Sequence, residues 1–93
     1  MNSLEGKLIY ANTQFYADQS GWFKVTEHNG GDYLRGKRVM RPDGTVVKNS
    51  KLRIKFKVAE VVVVTPDVLE QGRDGAYKVA DAQYQYLMDA LHR

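Results

Sequence analysis

Lys51-Leu52-Arg53-Ile54-Lys55-Phe56-Lys57-Val58-Ala59-Glu60-Val61-Val62-Val63-Val64 is the stretch on which the fold of this chain turns. Its first eight residues alternate cation and hydrophobe without a break, and a period of two belongs to extended backbone. In a strand, Lys51, Arg53, Lys55 and Lys57 project to one side and Leu52, Ile54, Phe56 and Val58 to the other. Same-side neighbours then stand about 6.6–6.8 Å apart. Ala59-Glu60 interrupts the alternation before a β-branched run, which predicts one long strand with a bend or bulge at that point.

Working toward the N-terminus, the same signals recur between turns. Residues 45–48 (TVVK) read as a short strand closed by Asn49-Ser50, and Arg41-Pro42-Asp43-Gly44 reads as a β-turn with φ fixed by proline. Residues 33–40 form a further candidate strand. His28-Asn29-Gly30-Gly31-Asp32 before it is a reversal, because Asn-Gly and Gly-Gly tolerate the positive φ of tight hairpins. Residues 22–27 (WFKVTE) alternate, with Phe23 and Val25 on one face and Trp22, Lys24 and Thr26 on the other. Residues 7–16 (KLIYANTQFY) are rich in β-branched and aromatic side chains. Five strands are thus expected within about residues 7–64.

The remainder changes period. Thr65 suits an N-cap and Pro66 the first helical position, which predicts one or two helical turns over 66–71 before Gly72. Asp74 is placed to cap a longer helix over about 75–92, where Tyr77, Ala80, Tyr84, Leu87, Met88 and Leu91 form an amphipathic stripe. Asp81, Gln85 and Asp89 fall on its solvent side. The whole predicts a single α+β domain over residues 1–93. Its sheet is five-stranded, antiparallel and strongly bent, or closed as a small SH3-like barrel, with a C-terminal amphipathic helix after it.

The net charge of +3 conceals a division. Residues 1–58 hold eleven Lys or Arg against five Asp or Glu, a balance of +6, and residues 59–93 hold three against six, a balance of −3. Between residues 33 and 57 nine cations accompany one acid, Asp43, so one part of the fold is expected to present an electropositive face. Tyr33, Arg35, Lys37 and Arg41 share one parity and extend the patch if it faces the same way as the stripe. Trp22 and Lys24 add a possible stacking surface. Cations that neutralise phosphates, interleaved with rings that stack on bases, are what nucleic-acid binding requires. The candidate nucleic-acid-binding residues are therefore Lys51, Arg53, Lys55, Lys57, Arg35, Lys37, Arg41, Lys24, Tyr33 and Trp22, with RNA and DNA undivided. The plainer readings are a solvated edge strand guarded by lysine and a tryptophan spent on the core.

Other chemistry finds little support. The chain has no cysteine, and its two histidines, His28 in a turn and His92 near the end of the chain, stand in no metal-ligand or triad spacing. No phosphate-cradling glycine motif is present. Neither catalysis nor a cofactor or metal is expected. The alternative function is a small inhibitor or adaptor, of the kind phages and mobile elements encode, that covers an acidic surface of a larger protein or nucleoprotein complex. Self-association through an edge formed by Val61-Val62-Val63-Val64 is a further possibility. The opening residues lack the character of a signal peptide and no apolar run approaches the roughly 20 residues of a membrane span, so a cytoplasmic location without membrane contact is expected.

Overall fold

Asn29-Gly30-Gly31 reverses the chain as its composition dictates: Gly30 takes a φ of 87°, and the Gly31 N–H donates to Asn29 Oδ1 at 3.1 Å. The reversal joins two strands, β2 (Gly21–Glu27) and β3 (Tyr33–Met40). In the computed structural model, which describes residues 3–11, 20–73 and 81–92, three further strands flank them. These are β1 (Leu8–Ala11), β4 (Ile54–Lys57) and β5 (Val61–Val63). The sheet order is β4, β3, β2, β1, β5, with every neighbouring pair antiparallel. Two helices follow, α1 (Pro66–Arg73) and α2 (Asp81–His92), which makes the chain α+β.

The connection between β4 and β5 curls the sheet. These strands are its two opposite edges, yet only a 3-10 turn, Val58–Glu60, separates them. Laid flat, strands four places apart would lie about 19 Å from each other at roughly 4.8 Å per step. A three-residue turn rising about 2 Å per residue spans less than half of that. The edges must approach, and the result is a curled half-barrel. The expected break at Ala59-Glu60 is this turn, so the single bent strand of the sequence reading is two strands on opposite edges.

The concave side holds the core. Ile9, Ala11, Phe23, Val25, Leu34 and Phe56 are buried together, with Leu4, Ile54, Val58, Val61 and Val63 packed against them. Phe23 and Phe56 meet edge-on at 4.8 Å between ring centroids. The Arg38 guanidinium lies 4.8 Å above the Phe23 ring and donates to the Ser20 carbonyl, so this cation serves the fold. At Gly21, φ is 125°, and a β-carbon there would stand 2.7 Å from the Met40 carbonyl oxygen, so only glycine fits.

Two expected elements differ. Residues 45–48 make an isolated bridge, Met40 to Val46, supported by the Val47 N–H donating to the Val39 carbonyl at 3.1 Å, and no strand. Those contacts occupy the outer edge of the far half of β3, and β4 pairs only with Tyr33, Leu34, Arg35 and Gly36. Residues 51–53 lie outside the paired stretch and are irregular, with Leu52 73% exposed where alternation predicted burial. The β-turn forms as expected: the Gly44 N–H donates to the Arg41 carbonyl at 2.9 Å. Asp43 is fully exposed, and hydrogen bonds from the Thr45 backbone and hydroxyl hold its carboxyl below the usual value.

His28, which the sequence reading placed in a turn, is buried there rather than exposed as a turn residue ordinarily is. It is 6% exposed. Its Nδ1 accepts the Leu4 N–H at 2.8 Å, so Nε2 carries the proton and donates to the Gly31 carbonyl at 2.9 Å. The Ser3 hydroxyl donates to the His28 carbonyl at 2.6 Å, and the His28 N–H donates to Glu5 Oε1 at 3.2 Å. The imidazole thus ties the segment before β1 to the β2–β3 turn.

Contacts divide the chain into two compact units, Met1–Val63 and Val64–Arg93. In the second, Thr65 caps α1 as predicted, its hydroxyl accepting the Val68 N–H at 3.2 Å with Pro66 at the first helical position. The helix continues through Gly72 to Arg73, two residues beyond the expected 71. Helix α2 buries Leu87, half-buries Tyr84, Met88 and Leu91, and exposes Gln85 and Asp89, in agreement with the amphipathic stripe; Ala90, outside the expected stripe, is buried as well. Tyr84 joins the helices by donating its hydroxyl to Glu70 at 2.8 Å. The expected helix start at 75, the stripe residues Tyr77 and Ala80, and the part of the first expected strand beyond residue 11 lie outside the described residues. Among the described residues no helix is long and apolar enough to cross a membrane.

Candidate nucleic-acid interface

Cross-strand register determines which cations share a face. Residues directly opposite one another in an antiparallel pair point the same way. Tyr33 lies opposite Lys57 and Arg35 opposite Lys55, while Lys24 lies opposite Lys37 across β2 and β3. Alternation along β3 places Tyr33, Arg35 and Lys37 on the side away from Leu34, Gly36 and Arg38. Lys24, Tyr33, Arg35, Lys37, Lys55 and Lys57 therefore occupy one sheet face, behind the concave core.

The β3–β4 end of this face is open to solvent. Lys55 and Lys57 are exposed, Lys37 is half-buried, and Tyr33 is 48% exposed. The Lys55 ammonium sits 4.4 Å from the centroid of the Tyr33 ring, a cation–π contact worth about 0.5–1 kcal/mol at an exposed site. Among the described residues Lys37, Lys55 and Lys57 have no carboxylate within ion-pairing distance. Arg35 has one: its Nε lies 3.9 Å from Glu27 Oε2.

Four predicted site residues stand elsewhere. Trp22 is 3% exposed, and its ring packs on Tyr10 with centroids 4.7 Å apart, so it cannot stack on a base. It belongs to a buried apolar region with Leu8 and Met40, at the end of the same sheet face that carries Lys24. Arg41 lies past β3, in the turn. Lys51 and Arg53 are exposed but fall outside β4, and Arg53 Nη1 folds back to donate to the Ser50 carbonyl at 2.9 Å and to the Leu52 carbonyl at 3.2 Å. The stripe of four cations is thus two in the sheet, Lys55 and Lys57, joined by three from β2 and β3.

A carboxylate enters this basic face through a bulge. Parity along β2 would send Glu27 to the core side with Phe23 and Val25. The register slips between Val25 and Glu27, however, so Val25 lies opposite Gly36 and Glu27 opposite Arg35. Thr26 is the extra residue, and its hydroxyl donates to the Arg35 carbonyl at 3.2 Å. Bulges re-aim a side chain in this way. Beside it opens a groove of about 240 Å³, bordered by Glu5, Glu27, Asn29, Tyr33, Arg35 and Lys55. Of its eight lining residues, which also include His28 and Leu34, sequence reasoning named Tyr33, Arg35 and Lys55 as site residues; it missed Glu27 because a bulge leaves no mark on a pattern of alternating residues.

Among the described residues no group of three or more His, Asp or Glu is placed to hold a metal ion. Comparison with protein-family models, with curated proteins and with solved structures finds no match for this chain.

Proposed function

We propose that this chain is a non-enzymatic module that binds nucleic acid along the β2–β3–β4 face. The observation that carries the reading is the register, which gathers Lys24, Arg35, Lys37, Lys55 and Lys57 around the exposed ring of Tyr33. Strands lie about 4.8 Å apart and same-face residues about 6.7 Å apart, so the cations form a strip on which a phosphate backbone can travel. Each neutralised phosphate releases counterions, and Tyr33 offers a base a stacking surface worth about 1–3 kcal/mol. Lys37, Lys55 and Lys57, which have no carboxylate within ion-pairing distance among the described residues, repel one another, and a polyanion relieves that repulsion.

Salt dependence tests this directly. Engagement by Arg35, Lys37, Lys55 and Lys57 predicts a log–log slope of affinity against salt of about −2.8 on a single strand and about −3.6 on B-form duplex. Fluorescence anisotropy titrations between 50 and 200 mM salt measure it. A flat salt response, or no binding at the low-salt end, would remove the reading. In that event capture from nuclease-treated lysate would examine the acidic protein surface as partner.

A further inference from the structure

A strip that only tracks phosphate has no use for a carboxylate, which repels the backbone. The Thr26 bulge nonetheless turns Glu27 onto this face and sets it beside Tyr33, Arg35 and Lys55 at the groove. Its attachment to Arg35 is loose: 3.9 Å exceeds the roughly 2.7–2.9 Å of a direct charge-assisted hydrogen bond. The Glu27 side chain is 73% exposed, so its oxygens are open to a donor from outside. Glu5, which also lines the groove, already uses Oε1 for the His28 N–H.

The groove's chemistry narrows its occupant. Two cations disfavour a cationic ligand, and two carboxylates disfavour an anion, which leaves an uncharged group carrying both N–H donors and carbonyl or ring-nitrogen acceptors. At about 240 Å³ the space lies below the 300–1,000 Å³ of sites for drug-sized ligands and suits a single small ring. On a nucleic acid that ring is a base. Guanine presents N1–H and the N2 amine in parallel, a two-donor edge that matches the two oxygens of one carboxylate. Its O6 and N7 accept from lysine, arginine or an amide. In a duplex the N1–H and N2 groups face cytosine, so this edge is available only on a single strand.

Building on the proposed nucleic-acid binding, we infer that the groove reads one guanine of a single-stranded nucleic acid. Glu27 accepts from the Watson–Crick edge, Tyr33 stacks on the ring, and Lys55 and Arg35 engage O6, N7 or the adjacent phosphate. The His28 N–H holds Glu5 and the Gly31 N–H holds Asn29 at the same groove. Specificity then comes from the bulge and affinity from the strip, so the two are separable by mutation.

The test uses the full chain and four labelled twelve-nucleotide thymidylate oligomers, unsubstituted or carrying one central guanine, inosine or adenine. Anisotropy at 50 mM salt is expected to show the guanine oligomer binding about tenfold more tightly than the unsubstituted one, within the range for a bidentate base contact. Inosine, which lacks the N2 amine, should lose most of that gain, and adenine all of it. The variant Glu27→Gln should bind the unsubstituted oligomer at least as well as the parent while losing the guanine preference. Equal affinity for all four oligomers, or a preference that survives in Glu27→Gln, overturns the guanine site and leaves the phosphate strip standing. Failure to bind any of the four overturns both.

Discussion

Replacing Lys37, Lys55 and Lys57 together by glutamine should lower affinity for a single-stranded oligonucleotide by roughly two orders of magnitude at 0.1 M salt. Each charge meeting a phosphate near a wet surface contributes about 1 kcal/mol, since unit charges 4 Å apart in water interact by about that much. Three such losses total about 3 kcal/mol, or roughly 150-fold. The log–log salt slope should become shallower by about 0.7 for each lysine on a single strand. Stability should change little, because among the described residues none of the three is paired with a carboxylate, and easing their mutual repulsion offsets the Lys55–Tyr33 contact. Anisotropy with a thermal melt of the same samples decides the matter. Affinity within threefold of the parent, in a variant melting at the parent temperature, would separate this face from any nucleic acid.

The largest stability effect should come from Phe23→Ala, a loss of about 3–5 kcal/mol. Phe23 is fully buried at the centre of the concave side, edge-on to Phe56 and beneath the Arg38 guanidinium. Truncation leaves a cavity and also removes the ring over which that cation is packed. Domains of this length commonly have about 5–14 kcal/mol in total, so the variant should be substantially unfolded in modest denaturant. Leu52→Ala is the matched control: alternation assigns both residues to a core, but Leu52 is 73% exposed and its loss should stay within about 0.5 kcal/mol. Urea melts report both values. A Phe23→Ala cost below about 1.5 kcal/mol would mean that the core lies elsewhere.

The same pair shows how far sequence reasoning reaches. Strand β3 was legible to the residue, because Asn29-Gly30-Gly31 before it and Arg41-Pro42-Asp43-Gly44 after it are turn-forming for local steric reasons. The break at Ala59-Glu60 was legible for a similar reason. What local pattern cannot supply is the partner. Lys51-Leu52-Arg53 alternates as faithfully as Ile54–Lys57, but β4 pairs with β3 only from Tyr33 to Gly36. Burial of Trp22 was hidden because one sheet face is apolar around Leu8 and Met40 and basic around Lys37. Lys24, two residues away on that face, gave the composition of the wet end. The shared side of the β3 and β4 cations was open in the sequence for want of register, and Glu27 was missed because Thr26 bulges.

The three-residue link between the outermost strands also has a kinetic meaning. Hairpin β2–β3 closes through nearby residues, whereas β5 reaches β1 only after everything between Ile9 and Val63 has been laid down, and ladders that close large loops form slowly. We expect β1–β5 to be the last ladder assembled and, with only three paired positions, the first to come apart under native conditions. Deuterium should enter the amides shared by β1 and β5 well before those shared by β2 and β3; equal protection of both ladders would refute this order. The link then works as a latch, keeping a loosened β5 close enough to rejoin its own chain before a neighbouring molecule can capture it.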